Sequence, residues 1–135
     1  MSAFSTYLEN LIIEATLRNG SISGISSRYL ALFTDVTVIA ELEASDFTNE
    51  VSGASYIRKS VNFDIPVDGV TQNTADIVWP TALENWGTIG YAAVCDTLAN
   101  GTGNILYYGA LSTPKVISTN DQFKFNAGDY DITVD

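Results

Sequence analysis

The chain has 135 residues, 46% of them apolar, with six basic side chains against sixteen acidic ones, a formal net charge of −10 and no histidine. That length suits one core, burying roughly two-thirds of the surface the unfolded chain exposes. The acidic surplus repels a phosphate backbone, no run approaches the ~20 apolar residues that cross a bilayer, and without imidazole neither a Ser-His-Asp or Cys-His centre nor the usual zinc sites can form.

The N-terminus lacks a basic region, and Glu9, Asn10 and Glu14 interrupt its apolar positions, so it does not read as a signal peptide. Thr6 and Glu9 match a T-x-x-E capping box, and Leu8, Leu11, Ile12 and Ala15 follow at helical spacing. With Arg18 in the last turn and Gly20 placed to end it, the spacing predicts an amphipathic helix over Thr6 to Asn19. Its apolar stripe needs a partner surface. Packing on the chain's own sheet is the ordinary reading; the sharper one makes Phe4, Tyr7, Leu8, Leu11 and Ile12 a candidate assembly interface, with the arm Met1 to Ser5 reaching a neighbour.

Beyond Gly20 the period becomes alternating, and Gly, Asn, Asp and Ser punctuate the chain at short intervals. Expected strands are 28–34, 36–41, 55–63, 74–79, 88–95, 104–110, 114–118, 122–126 and 130–134. So many strands close most readily as two facing sheets. The fold class is therefore mainly β, a jelly-roll-like two-sheet β-sandwich with one N-terminal helix. It is read as a single domain over 1–135, with arm and helix in 1–20 and the sandwich in 21–135.

Within 55–63, Ile57, Val61 and Phe63 share one face and Arg58, Ser60 and Asn62 the other, with Lys59 interrupting the apolar side. Asp68-Gly69 reads as a turn, as do Asn100-Gly101 and Gly103-Asn104. Pro80 stops the strand that ends at Trp79.

Residues that could carry chemistry are few. A lone Cys95 in an apolar run reads as a small buried hydrophobe. Asp121, Asp129, Asp131 and Asp135, with Asn120 and Asn126, offer oxygen ligands of the kind calcium takes, yet match no EF-hand spacing and read as solvated turns. Glu41 with Glu43, or Asp129 with Asp131, would share the outward face of a strand rather than form a hydrolytic pair. Asn100-Gly101-Thr102 matches a glycosylation sequon with no secretory signal before it. Trp79, Trp86, Tyr91, Tyr107 and Tyr108 could stack sugars but more often fill a core. No phosphate-cradling glycine motif occurs. No catalytic residue, cofactor or metal is expected.

The stretch from Asn73 to Leu111 carries Asn73, Ala75 and Pro80 before Trp86-Gly87-Thr88, then Gly103-Asn104 and a strand closing on Tyr108-Gly109-Ala110-Leu111. Flanking it are STYLENL at 5–11, YLALFT at 29–34, EVSGASYIRKSVNF at 50–63, and Ala127-Gly128-Asp129 with Ile132-Thr133-Val134. In these pieces the chain resembles a family of small β-rich tailed-phage virion proteins, often called tail-fibre proteins. Segment 35–49 and Cys95 depart from the pattern. The resemblance implies a non-enzymatic structural protein of the bacteriophage virion, assembled in the host cytoplasm. Its partners would be capsid or tail proteins and further copies of itself, a trimer by guess, with neither nucleic acid nor membrane. A compact domain without stalk, linker or coiled-coil heptads favours a capsid decoration or cement protein that stabilises the shell. A tail-fibre or other tail component is the alternative, and a virion-borne receptor or glycan-binding module another.

Overall fold

The computed structural model describes residues 3–23 and 25–134. In chain order the elements are β1 (Ala3–Phe4), α1 (Thr6–Leu17), β2 (Tyr29–Thr34), α2 (Ile39–Glu43), β3 (Lys59–Ser60), β4 (Val70–Gln72), β5 (Ile77–Val78), β6 (Gly87–Cys95), β7 (Ile105–Ile117), β8 (Lys124–Phe125) and β9 (Asp131–Thr133). Strand outweighs helix, 35% against 13%, so the protein is mainly β.

Five strands form an open antiparallel sheet in the order β1-β7-β6-β2-β3. Its centre is made of apolar runs with no polar alternation, because both faces are covered. Leu30 and Leu32 of β2 join Ala92 and Val94 of β6 in one core cluster, while Ala31, Phe33, Ala93 and Cys95 join the other. Opposite the first face, the remaining strands pair as two separate ribbons, β4 with β9 and β5 with β8. They bring Ile77, Trp79, Phe123, Phe125, Tyr130 and Ile132 down onto the sheet. Trp79 meets Phe123 and Phe125 edge-on at 5.3 and 5.9 Å, the geometry that ring quadrupoles favour. Leu42 of α2 and the half-buried Phe47 cover the second face.

Several expected strands resolve differently. The alternation in 36–41 misleads: Val36, Val38 and Ile39 are exposed, and the chain turns into α2, where Glu41 accepts a hydrogen bond from the Val38 amide at 3.0 Å. β2 already has β6 on one side, with β3 and the Phe33–Glu50 bridge on the other, so no ladder remains for this segment to join. Strands 104–110 and 114–118 merge into the single β7. Pro114 is tolerated there because β1 pairs only with Tyr107 and Tyr108, leaving β7's outer edge without a ladder at that point. Ile89 opposes Lys115 while Tyr91 opposes Ala110, so Gly90 alone faces four residues of β7 in a wide bulge. A Cβ on Gly90 would lie 2.7 Å from Asp35 Cα, which is why the bent position takes glycine.

Segment 55–63 keeps only Lys59–Ser60 as strand, and its sidedness is the reverse of the expected one at its start. Ile57 is exposed and Arg58 is buried.

Candidate functional site

An apolar groove of about 630 Å³ lies between α1, the segment that follows it, and the β4–β9 ribbon. Each wall has a local cause. Ser5, not Thr6, caps α1: its side chain accepts from the Leu8 amide at 3.2 Å and donates to the Ile105 carbonyl, fixing the helix to β7. Phe4 and Ser5 sit on the sheet rather than reaching away, with the Ser5 amide bonded to Leu106 O at 3.0 Å and Phe4 stacked edge-on against Tyr107 at 5.3 Å. Met1 and Ser2 lie outside the described residues. At the far end of α1, Asn19 takes the left-handed conformation (φ 63°) and Gly20 donates to Glu14 O at 2.8 Å. A Cβ on Gly20 would lie 2.9 Å from that oxygen, so glycine is needed for the close approach. The chain then returns past the helix, placing Ile22 and Ile25 on the groove.

The opposite wall is a hairpin closed at Asp68-Gly69, both with positive φ (51° and 79°), the pattern of a type I′ turn. Val67 and Val70 exchange backbone hydrogen bonds at 3.0 and 2.9 Å, and the Val134 amide donates to Gly69 O at 2.8 Å, locking the hairpin to β9. A side chain at Gly69 would press to within 2.5 Å of Val134 O. The floor is apolar, with Phe63, Val94, Leu106 and Ile132, and the polar rim carries Arg28 and Asp64.

Of the five predicted interface residues, Leu8 and Ile12 line this groove. Leu8 is buried in the first core cluster, Phe4, Tyr7 and Ile12 pack against that cluster, and Leu11 is half-buried. The helix stripe thus faces the chain's own sheet, while Ile13 (49% exposed) and Leu17 (78%) face outward. Sequence reasoning missed the rest of the groove. Asp68-Gly69 signalled the turn, but no local pattern signalled that Ile22 and Ile25 face it.

A second feature was also missed. Arg58 forms a bidentate ion pair with Glu50, Nε to Oε1 at 2.7 Å and an Nη to Oε2 at 2.8 Å, both side chains being buried. Its other Nη donates to the carbonyls of Thr97 and Thr102 at 2.6 and 2.9 Å. Glu50 also accepts from the Gly101 amide at 2.7 Å and the Tyr56 hydroxyl at 3.1 Å. Burial opposes the Arg58 charge most strongly of any single influence, but the hydrogen bonding to Glu50 together with the neighbouring Cys95, Glu50 and Tyr56 groups holds the guanidinium above its ordinary pKa. Burial, reinforced by Glu50, raises the Tyr56 phenol well above its usual value. This network is a clamp joining loop 97–102 to the sheet.

The remaining candidates find structural roles. Burial pushes the Cys95 thiol up to about 12, the opposite of a reactive thiolate. Asp121 accepts from the Ser118 amide and Asp129 from the Asn126 amide, each at a turn, and no metal-holding cluster occurs among the described residues. Asp135 lies outside them. Glu41 bonds Asn49 and caps α2, while Glu43 accepts from the Tyr108 hydroxyl at 2.9 Å. Trp79, Trp86 and Tyr108 are buried, so they make no stacking platform for sugars. Tyr107 and Tyr91 are half-buried against the two core clusters.

Comparison with protein families finds a match over residues 3–133 to the family described as Podophage GP4 fiber I protein gp80. A search of curated proteins finds no match.

Proposed function

The chain belongs to this podophage fibre protein family, and from that premise we propose that it is a structural subunit of the tail-fibre apparatus. The family match over nearly the whole chain is the observation that carries the reading, and it favours the fibre over the capsid-decoration role expected from compactness alone. The geometry is consistent with a subunit that acts by shape. The groove is apolar, and the buried ion pair and thiol are committed to internal packing.

In this reading residues 1–135 act as one building block, with the two ribbons serving as the second layer of a jelly-roll-like sandwich. The helix contributes to assembly through Leu8 and Ile12, and the partners are other tail proteins and copies of the chain itself. Quantitative mass spectrometry of purified virions, together with labelling by an antibody against the chain, tests the location. Signal on fibres at the copy number of a tail part is the expected result. Signal spread over the shell at lattice stoichiometry would return the protein to the capsid.

A further inference from the structure

The Asn100-Gly101 turn combines two opposing properties. An asparagine side-chain amide followed by glycine is open to attack by the next backbone nitrogen, because glycine has no Cβ to obstruct the approach, and asparagine is among the chemically labile residues. Leu98 to Gly103 are exposed, so water reaches the turn. Its backbone, however, is held from beneath. The Gly101 amide donates to Glu50 Oε2 at 2.7 Å, and the carbonyls of Thr97 and Thr102, on either side, accept from Arg58 Nη1 at 2.6 and 2.9 Å. The Asn100 side-chain amide itself donates to Tyr56 O at 3.4 Å. Glu50 and Arg58 are buried.

We propose that Asn100 is a site of spontaneous deamidation gated by the buried Arg58–Glu50 clamp, silent while the clamp holds Gly101 and reactive when loop 97–102 lifts away. In the reaction the Gly101 nitrogen gives its proton to water and bonds to Asn100 Cγ. The Cγ–Nδ2 bond breaks, and the departing nitrogen takes up a proton and leaves as ammonia. Water then opens the resulting five-membered succinimide, its hydroxyl ending on a ring carbonyl carbon and its proton returning to the Gly101 nitrogen. Opening at Cγ leaves an aspartate at position 100; opening at the backbone carbonyl leaves an isoaspartate, with the main chain routed through the side-chain carbon. Water enters, ammonia leaves, and no oxidant or reductant is involved.

The closed clamp opposes the first step in two ways. The proton that must leave is engaged with Glu50, and removing it to solvent would set a negative nitrogen against a buried carboxylate. Glu50 is no general base for it, since taking the proton would end its pairing with Arg58 and strand a buried guanidinium. The bonds to Thr97 and Thr102 also resist the main-chain rotation that carries the Gly101 nitrogen onto Cγ. Once formed, the product keeps the gate open. A new carboxylate stands in the turn that holds Glu50, and an isoaspartate lengthens the backbone between two anchored carbonyls.

The test incubates the full chain beside a synthetic peptide spanning Asp96 to Ile105, the unstructured reference, at mildly alkaline pH, with peptide mapping by mass spectrometry to locate the product. The folded chain should react at least about tenfold more slowly than the peptide, a factor set by the free energy of opening the loop, and Arg58→Met should bring the rate to within about threefold of the peptide's. Ile132→Ala weakens the core in the β4–β9 ribbon without touching the clamp, and should stay near the wild-type rate. Equal rates in chain and peptide would overturn the gate, as would equal acceleration by Ile132→Ala and Arg58→Met, or a silent Asn100 in Arg58→Met. Should Arg58→Met not fold, wild type in urea below its unfolding midpoint replaces it. A rate that climbs before tryptophan fluorescence changes supports local opening, and one that climbs only with the fluorescence overturns it. The deamidated fraction, separated by anion exchange through its extra charge, should have a lower urea midpoint than the unmodified chain; an unchanged midpoint would overturn the claim that the product holds the gate open.

Discussion

Replacing Arg58 with methionine removes the guanidinium while keeping much of its aliphatic volume, and the consequence follows from what the guanidinium holds. Two bonds to Glu50, at 2.7 and 2.8 Å, and two to the carbonyls of Thr97 and Thr102 are lost at once. Glu50, 7% exposed, keeps only the Tyr56 hydroxyl and the Gly101 amide as donors. Leaving a buried charge without its partner costs about 3–5 kcal/mol. The two carbonyls belong to a loop with exposed residues and can take up water, so they add little. A loss of about 4 kcal/mol corresponds to roughly 12–16 °C in Tm for a chain of this size, a large share of the ~5–15 kcal/mol that holds a typical domain folded. Urea denaturation followed by tryptophan fluorescence measures it, since Trp79 and Trp86 are both buried. The double variant Glu50→Gln with Arg58→Met removes the stranded charge but keeps an acceptor for Gly101 and Tyr56, and should recover about half of the loss. If Arg58→Met costs less than about 1 kcal/mol, or if the double variant is no better than the single one, the clamp is not a desolvated ion pair and the reasoning fails.

Two further outcomes follow from the same structure. Gly69→Ala forces a side chain into a φ of 79° and against Val134 O at 2.5 Å, so it should cost about 1–3 kcal/mol in the same urea assay and loosen the groove wall. Alkaline pH should unfold the chain earlier than neutral pH. Burial raises the Cys95 thiol from 9.0 to about 12, and burial followed by Glu43 raises Tyr108 from 10.0 to about 12. In both groups the folded value lies above the unfolded one, so their stabilisation is intact below about pH 9 and declines as the pH climbs toward 12. Urea midpoints between pH 7 and 11 should show that decline, Cys95→Ala should reduce it, and a profile identical in the variant would remove Cys95 from the account.

What was legible in the sequence was whatever is decided locally. β2 and β6 were visible because Leu30 to Phe33 and Ala92 to Cys95 are apolar runs suited to a sheet covered on both faces. The Asp68-Gly69 turn was visible because few other residue pairs accept two positive φ angles in succession. Segment 36–41 was misread because alternation reports side-chain chemistry and not the availability of a neighbouring strand, and β2 had none to offer. Arg58 was assigned outward for a related reason. The partners that make its burial tolerable are Glu50, eight positions away, and carbonyls 39 and 44 positions away, none of which leaves a periodic trace. Half of the groove was foreshadowed by Leu8 and Ile12. Its other wall depends on β4 meeting β9 across some sixty residues of chain, a pairing that only the assembled fold specifies.

The wide bulge opposite Gly90 has a practical use. Leu111 to Pro114 are strand residues set against a single partner position, and Ser112 to Pro114 are exposed. Extra chain spliced between Ser112 and Thr113 would lengthen an excursion already out of step with its neighbour, disturbing no ladder contact and no core side chain. An epitope or fluorescent tag grafted there would let the subunit be followed in assembled particles with both termini and the groove left in their native form.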